Sequence, residues 1–231
     1  MITEDHFLDF QCPECGALNS FPQESAGFVR ECVNCMEAVI VPEDGSEAGR
    51  KIPIPLTTSK LVLRRPTFED LKDFARLKPD HSEDDLMRWL SDDCQVKLTA
   101  VDRPFHLGIE SREEGKIIGS VSLQFSDREF SEVGIVAGWD ANAERQVLVG
   151  EALVTALGFC FKELKVHRVF ARCESHDAVA CQLYAAAGMR REGEFVKHYR
   201  VAGEWFNTVW FAMLDEEFRE ADSIPGQQSS S

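Results

Sequence analysis

The spacing of apolar and polar side chains changes period several times along the chain, and each change marks an element. Residues 59–65 alternate with period two and predict a strand, which Pro66 ends. Thr67 with Asp70 then caps a helix whose Leu71, Phe74 and Leu77 share a face. Ser82 and Asp85 cap a second short helix carrying Leu86, Trp89 and Leu90. Residues 105–109 and 117–125, joined by a turn at Glu113-Glu114-Gly115-Lys116, read as a hairpin. A strand over 130–137 and a loop over 138–146 come next. A helix over 147–164 follows, its Leu148, Leu153, Ala156, Leu157, Cys160, Phe161 and Leu164 recurring at helical spacing. A strand over 168–173 and a helix over 178–187 complete this run, with Gly188 as C-terminal stop. A last hairpin pairs 194–201 with 208–214 around Ala202-Gly203. No internal repeat is visible.

Ahead of all this lies a stretch with a different pattern. Cys12-Pro13-Glu14-Cys15 and Cys32-Val33-Asn34-Cys35 are two tight pairs, between which residues 28–31 alternate as a short strand; residues 39–41 give a closing strand. Each pair brings two thiolates to one point, and two pairs supply the four soft ligands of a closed tetrahedral Zn²⁺ site. Gly16, just past the first pair, suits a left-handed turn. A single redox-active pair of the thioredoxin type would follow a βαβ pattern, which is missing here. Residues 1–44 are therefore read as a zinc ribbon with Cys12, Cys15, Cys32 and Cys35 as ligands. Residues 45–58, turn-rich and carrying Pro53 and Pro55, read as a linker. The second domain spans 59–218, and 219–231 reads as a disordered tail.

Composition narrows the functional classes. The net charge of −15 on 231 residues disfavours an unassisted grip on nucleic acid and is compatible with a cationic substrate such as an amine. The ribbon too is richer in Glu and Asp than in Lys and Arg. No apolar run approaches the ~18 residues of a membrane span, and the N-terminus has no basic leader, so the cytoplasm is the expected location. Cys94, Cys160, Cys173 and Cys181 are scattered among apolar residues and read as small core hydrophobes.

The order strand, loop, helix over 130–164 places a helix N-terminus after a strand, an arrangement whose unpaired N–H groups and dipole favour an anion such as phosphate. Around it, several motifs align: Leu61-Val62-Leu63-Arg64 with Asp70 and Leu71, Gly119-Ser120-Val121, Glu132-Val133-Gly134, Glu151-Ala152-Leu153 and His167-Arg168-Val169. Leu183-Tyr184, Gly188-Met189, Glu192-Gly193, Gly203 and Asn207 continue the series. Through these residues the second domain resembles the GNAT superfamily of N-acetyltransferases, in particular the ribosomal-protein-alanine acetyltransferase branch.

The resemblance implies a mixed α/β (α+β) fold with a mostly antiparallel sheet flanked by helices. It also implies transfer of an acetyl group from acetyl-CoA to a primary amine by direct attack. The acceptor would be a protein N-terminus or a small cationic amine. Acetyl-CoA would lie between two splayed strands, its pyrophosphate on the N–H groups of Val147, Leu148, Val149 and Gly150 near Gln146. Arg145 is either a phosphate contact or a solvated arginine. Tyr184 matches the tyrosine that protonates the departing thiolate, and Asp177 stands where the family often has asparagine. Backbone N–H groups at Val136 or Ala137 would stabilise the oxyanion, and Glu132 is either the base for the amine or a solvent-facing glutamate. Trp205-Phe206 could line the acceptor groove.

The chain departs from the family's phosphate loop, Arg/Gln-x-x-Gly-x-Gly/Ala, by placing Glu144, Val147 and Val149 at its key positions. Valine crowds a phosphate where glycine would not. The alternative reading is thus a catalytically weakened GNAT-fold module that binds CoA or protein. The ribbon is open to two uses, docking a protein partner or stabilising a homodimer.

Overall fold

The computed structural model describes residues 6–43, 46–127, 131–139 and 143–218, with the backbone alone at 139, 143 and 144. The expected tail at 219–231 lies outside these residues. The N-terminal unit has two small sheets. β1 (Phe7–Gln11) pairs antiparallel with β2 (Leu18–Pro22), and β3 (Val29–Glu31), β4 (Ala38–Ile40) and β5 (Arg50–Lys51) form a second antiparallel sheet. One cysteine pair sits in each connection, and the two knuckles are built alike. Cys12 N–H donates to Ala17 and Cys32 N–H to Glu37, both at 2.9 Å, and Gly16 and Met36 take positive φ at matching places. Glycine adopts that conformation freely, while a methionine pays roughly 1–2 kcal/mol for it.

The segment read as a linker is more ordered than its prolines suggest. It contributes β5 to the ribbon's second sheet, and β6 (Leu56–Thr57) to the edge of the large sheet beside β7 (Leu61–Arg64). Two-residue strands are too short to show a period, and an edge strand tolerates neighbouring prolines.

The large sheet has eight strands in the order β12-β13-β11-β10-β9-β8-β7-β6. In chain order these are interleaved with helices: α1 (Leu71–Leu77), α2 (Glu83–Arg88), β8 (Phe105–Ser111), β9 (Lys116–Phe125), β10 (Glu132–Trp139), α3 (Ala143–Gly158), β11 (Arg168–Glu174), α4 (Ala178–Ala186), β12 (Arg190–Val201) and β13 (Glu204–Leu214). Its pairings are antiparallel except β10 with β11, which α3 connects in parallel, as a crossover requires. Val149, Ala152, Leu153, Ala156 and Leu157 of α3 are fully buried in one core cluster with Leu61, Leu107, Val121, Leu123, Val133 and Ile135. On the opposite face α1, α2 and the helical turn Trp89–Asp93 that follows α2 bury Phe74, Leu86 and Leu90 over Ile117. The guanidinium of Arg64 donates to both carboxylate oxygens of buried Asp70 at 2.8 Å and to Glu110 at 2.6 Å, locking β7 to the start of α1 and to β8.

Val29 and Ile40 of the ribbon belong to the same buried cluster as Leu98 and Phe105. Lys97 adds a polar clasp, donating to the Cys35 carbonyl at 3.0 Å and pairing with Glu37 at 2.9 Å. The two units therefore share a core.

Around β10 and α3 the boundaries move. β10 runs over Glu132–Trp139 rather than 130–137, and α3 starts at Ala143, four residues before the expected Val147. Ala143, Glu144, Arg145 and Gln146 are good helix formers, but a polar first turn carries no apolar period to reveal it.

Candidate functional site

β10 and β11 pair at only three positions, ending at Gly134 opposite Phe170. Beyond them β10 stays bound to β9 as far as Trp139, and β11 stays bound to β13 as far as Glu174. Each strand keeps its outer partner while the two part company, so the sheet opens between them. The direction of each free backbone group follows from ladder alternation. Glu132 O accepts from Ser126 on the β9 side and Ser131 O accepts from Arg168 on the β11 side. Even-numbered residues of β10 therefore turn their N–H to β9 and odd-numbered ones turn theirs into the opening.

Of the two expected oxyanion donors, this selects Ala137. Val136, opposite Ser122, spends its N–H in the ladder. Ala137 N–H points into the opening and meets the Tyr184 hydroxyl at 3.5 Å. Tyr184 arrives from α4, whose start is set by Asp177 accepting the Ala180 N–H at 2.9 Å and whose end is set by Gly188 at φ +87°. The tyrosine ring is 2% exposed and packs 5.8 Å from the Phe211 ring. Burial pushes its hydroxyl up to about 12, so the phenol keeps its proton and can act as a donor.

The other expected residues are placed as follows. Glu132 lies five residues before Ala137 on β10, roughly 16 Å along an extended strand, and its carboxylate accepts from Arg168 Nε at 2.8 Å. It is not brought to the opening. Arg145 is held by Glu114, with Nη2 to Oε2 at 2.6 Å and Nε to Oε1 at 3.2 Å. Gln146 and Leu148 are half-buried on α3, Val147 is 72% exposed, and Val149 is fully buried in the core. Because α3 starts at Ala143, the N–H groups of Val147, Leu148, Val149 and Gly150 lie a turn inside the helix and bond its own carbonyls. Among the described residues the first turn of α3 is formed by 143–146. Asp177 acts as the cap of α4. Trp205 is exposed and Phe206 half-buried, stacked on Tyr199 at the tip of the β12–β13 hairpin.

Two residues that the sequence did not single out stand beside the opening on the α1–α2 face. Ser122 is opposite Val136 in one ladder and opposite His106 in the next. His106 Nδ1 is 2.7 Å from Ser122 Oγ, and the imidazole meets the Trp89 ring edge-on at 5.2 Å. Burial pushes His106 down to about 4, so the ring is neutral. The polar alternation Ser120, Ser122, Gln124 along β9 was the available signal.

In the ribbon the four cysteine Sγ atoms all lie within 4.8 Å of one another, with Cys12–Cys35 at 3.8 Å and Cys15–Cys32 at 3.7 Å. A tetrahedral ion with bonds of about 2.3 Å needs sulfur–sulfur edges of about 3.8 Å, so the residues fit zinc. Buried Asn19 ties the knuckles together. Its Nδ2 donates to Ala17 O at 3.0 Å and Cys32 Sγ at 3.6 Å, and its Oδ1 accepts from Val33 N–H at 2.9 Å. Burial opposes charge on Cys32, but the Cys35 and Asn34 N–H groups and Asn19 outweigh it and hold the thiol near 6. Among the scattered cysteines, Cys94 and Cys160 are buried as expected. Cys173 and Cys181 are only half-buried and bring their sulfurs within 3.4 Å.

No helix among the described residues is long and apolar enough to cross a membrane. The family model for the acetyltransferase (GNAT) domain matches residues 60–190. The uncharacterized N-acetyltransferase YnaD of Bacillus subtilis is 26% identical over 173 residues, covering 71% of this chain and 98% of its own. The ribosomal-protein-S5-alanine acetyltransferase of Vibrio fischeri superimposes with a TM-score of 0.60 at 17% identity, covering 73% of this chain and all of that one. Mutant spermidine/spermine N-acetyltransferase SpeG of Vibrio cholerae gives 0.58 at 17% identity, over 70% of this chain and 97% of its own. With its sheet opened between β10 and β11 and its family model spanning more than half of the residues, the chain belongs to the GNAT family of N-acetyltransferases.

Proposed function

We propose that the protein transfers the acetyl group of acetyl-CoA to a primary amine by direct attack within the opening between β10 and β11. One observation carries this reading: the opening holds a strand N–H turned away from the β9 ladder, Ala137, and a buried protonated phenol, Tyr184, within 3.5 Å of each other. An N–H there suits the oxyanion that forms on the thioester carbonyl, a contribution commonly worth ~2.7–4 kcal/mol. The phenol suits the thiolate that leaves. The pyrophosphate is assigned to the first-turn N–H groups of α3, residues 143–145, where the helix dipole also favours an anion.

The acceptor is a cationic amine, either a protein N-terminus or a polyamine. The two structural relatives act on such amines by name, and the net charge of −15 favours a cation approaching. Calorimetry with acetyl-CoA, followed by thiol release with a panel of primary amines, tests the reading. Absence of binding at millimolar acetyl-CoA would sink it.

The N-terminal unit is assigned as a structural zinc site on Cys12, Cys15, Cys32 and Cys35, supported by the tetrahedral sulfur spacing. The ion would hold the two knuckles together, since four thiols so close cannot all ionise without a cation. The chain divides accordingly into a ribbon and an acetyltransferase unit. The ribbon's shared core favours a structural role over a free docking module.

A further inference from the structure

Once the neutral amine bonds the thioester carbon its nitrogen carries a surplus proton, and Glu132 is too far from Ala137 to receive it. We propose that Ser122 takes this proton and relays its own to His106, an assignment that rests on the acetyl-transfer reading of the same opening. Ser122 is the group that touches the amine, and His106 is a positioning residue that acts through it.

The geometry comes from two ladders. Val136, Ser122 and His106 sit side by side across β10, β9 and β8, and their side chains rise on the α1–α2 face, about 5 Å apart at Cβ. Val136 is 54% exposed, so the face above it is open, and Gly138, next along the same face, carries no side chain. A Cβ at Gly138 would come within 3.3 Å of Ser120 Oγ, so the glycine leaves room between β10 and the serines. Ser122 is half-buried, while His106 beneath Trp89 is 8% exposed. An amine above Val136 therefore meets Ser122 first, directly or through one water, and reaches the imidazole through it.

The charges facing His106 are Asp93, Lys78 and Arg103. Asp93 is itself paired to Arg103 at 2.6 Å, so no free carboxylate holds the imidazole charged. A neutral ring with Nδ1 toward Ser122 can accept the hydroxyl proton. So weak a base does not strip a free ammonium ion, whose proton goes to solvent before the attack. It acts as the N–C bond forms, when the nitrogen becomes strongly acidic. The step balances without a co-reactant. The amine lone pair bonds the thioester carbon, the N–H proton passes to Ser122 Oγ, and the Ser122 O–H proton passes to His106 Nδ1. The C–S bond then breaks and the sulfur takes the Tyr184 phenol proton. Imidazolium and phenolate return to neutral through solvent.

The test uses the full chain, acetyl-CoA and primary amines from spermidine to alanine-initiated peptides. Ser122→Ala is expected to lower kcat on the order of 100-fold with KM for acetyl-CoA unchanged. Ser122→Thr, which keeps the hydroxyl, stays within a few-fold of wild type. His106→Asn can accept the serine hydrogen bond but not its proton, and falls with Ser122→Ala. The double variant is no slower than the slower single one, as for residues acting as one unit. Unchanged kcat in Ser122→Ala, or full multiplication of the two defects, overturns the relay while the acetyl-transfer reading stands. A wild type that binds acetyl-CoA but releases thiol with none of the amines overturns both.

Discussion

Replacing Tyr184 by phenylalanine separates the chemistry of the opening from its stability. The hydroxyl's described partner is the Ala137 N–H at 3.5 Å, a long hydrogen bond, and the ring's packing against Phe211 is kept. The stability change should stay below ~1 kcal/mol. A general acid contributes on the order of 10²–10⁴ in rate, or ~2.7–5.5 kcal/mol, so the kinetic loss should far exceed the structural one. Thiol release at saturating acetyl-CoA and amine measures kcat, and calorimetry measures acetyl-CoA Kd. The first should drop at least about 100-fold while the second moves less than about threefold. The pH dependence adds a second readout. With its pKa raised to about 12 by burial, the phenol remains the protonated acid through neutral and mildly alkaline pH. A raised folded-state pKa also means that the folded chain holds this proton more tightly than the unfolded one. Its stabilisation is complete below about pH 10 and is lost as pH rises toward 12. Tyr184→Phe should abolish that alkaline loss. Equal kcat in variant and wild type, or a Kd that weakens as much as the rate, would refute the assignment.

Metal analysis should find one zinc per chain. Cys12→Ser should release it and lower the Tm of the whole chain, since Val29 and Ile40 lie in the common core; Asn19→Ala should weaken zinc retention by about 10–100-fold in a chelator competition. Asp70→Asn takes one of two carboxylate partners from Arg64, which keeps Glu110, and should cost about 1–3 kcal/mol in denaturant unfolding. Burial works against the Asp70 charge but Arg64 outweighs it and lowers the pKa, so this stabilisation is present above about pH 4 and lost on acidification, a loss the variant lacks. Val147→Gly should cost about 0.3–0.5 kcal/mol of helix stability without tightening acetyl-CoA binding, and tighter binding by calorimetry would contradict the position of the α3 start.

What was legible in the sequence follows from range. Residues 105–125, the α3 apolar face and the last hairpin declare themselves through period, because one face of each is buried. The cysteine pairs declare themselves through spacing, and Tyr184 through the motifs around it. The two-residue strands β5 and β6 have no period to show. The fate of Glu132 and the pairing of His106 with Ser122 depend on where β10 leaves β11 and on the register of three strands. These are contacts between residues far apart in the chain, and local pattern does not encode them. Arg145 illustrates the same limit: its partner Glu114 comes from the β8–β9 turn.

The two valines that replace the family's glycines take on a different meaning once α3 is located. In a loop, Val147 and Val149 would each push a Cβ toward the phosphates. In a helix, residues two apart point to nearly opposite sides. Val147 is accordingly 72% exposed and Val149 fully buried among the residues that hold α3 to the sheet. One valine is thus a core contact and the other a surface residue, and neither has to make room for an anion. Under the proposed function the glycines' usual purpose, letting backbone amides approach phosphate, passes to the first turn of α3, residues 143–145. The case for a non-binding module rested on the steric effect of those valines in a loop. With that loop replaced by a helical turn, the departure from the family pattern argues for a displaced pyrophosphate site, held by main-chain groups that side-chain identity does not reveal.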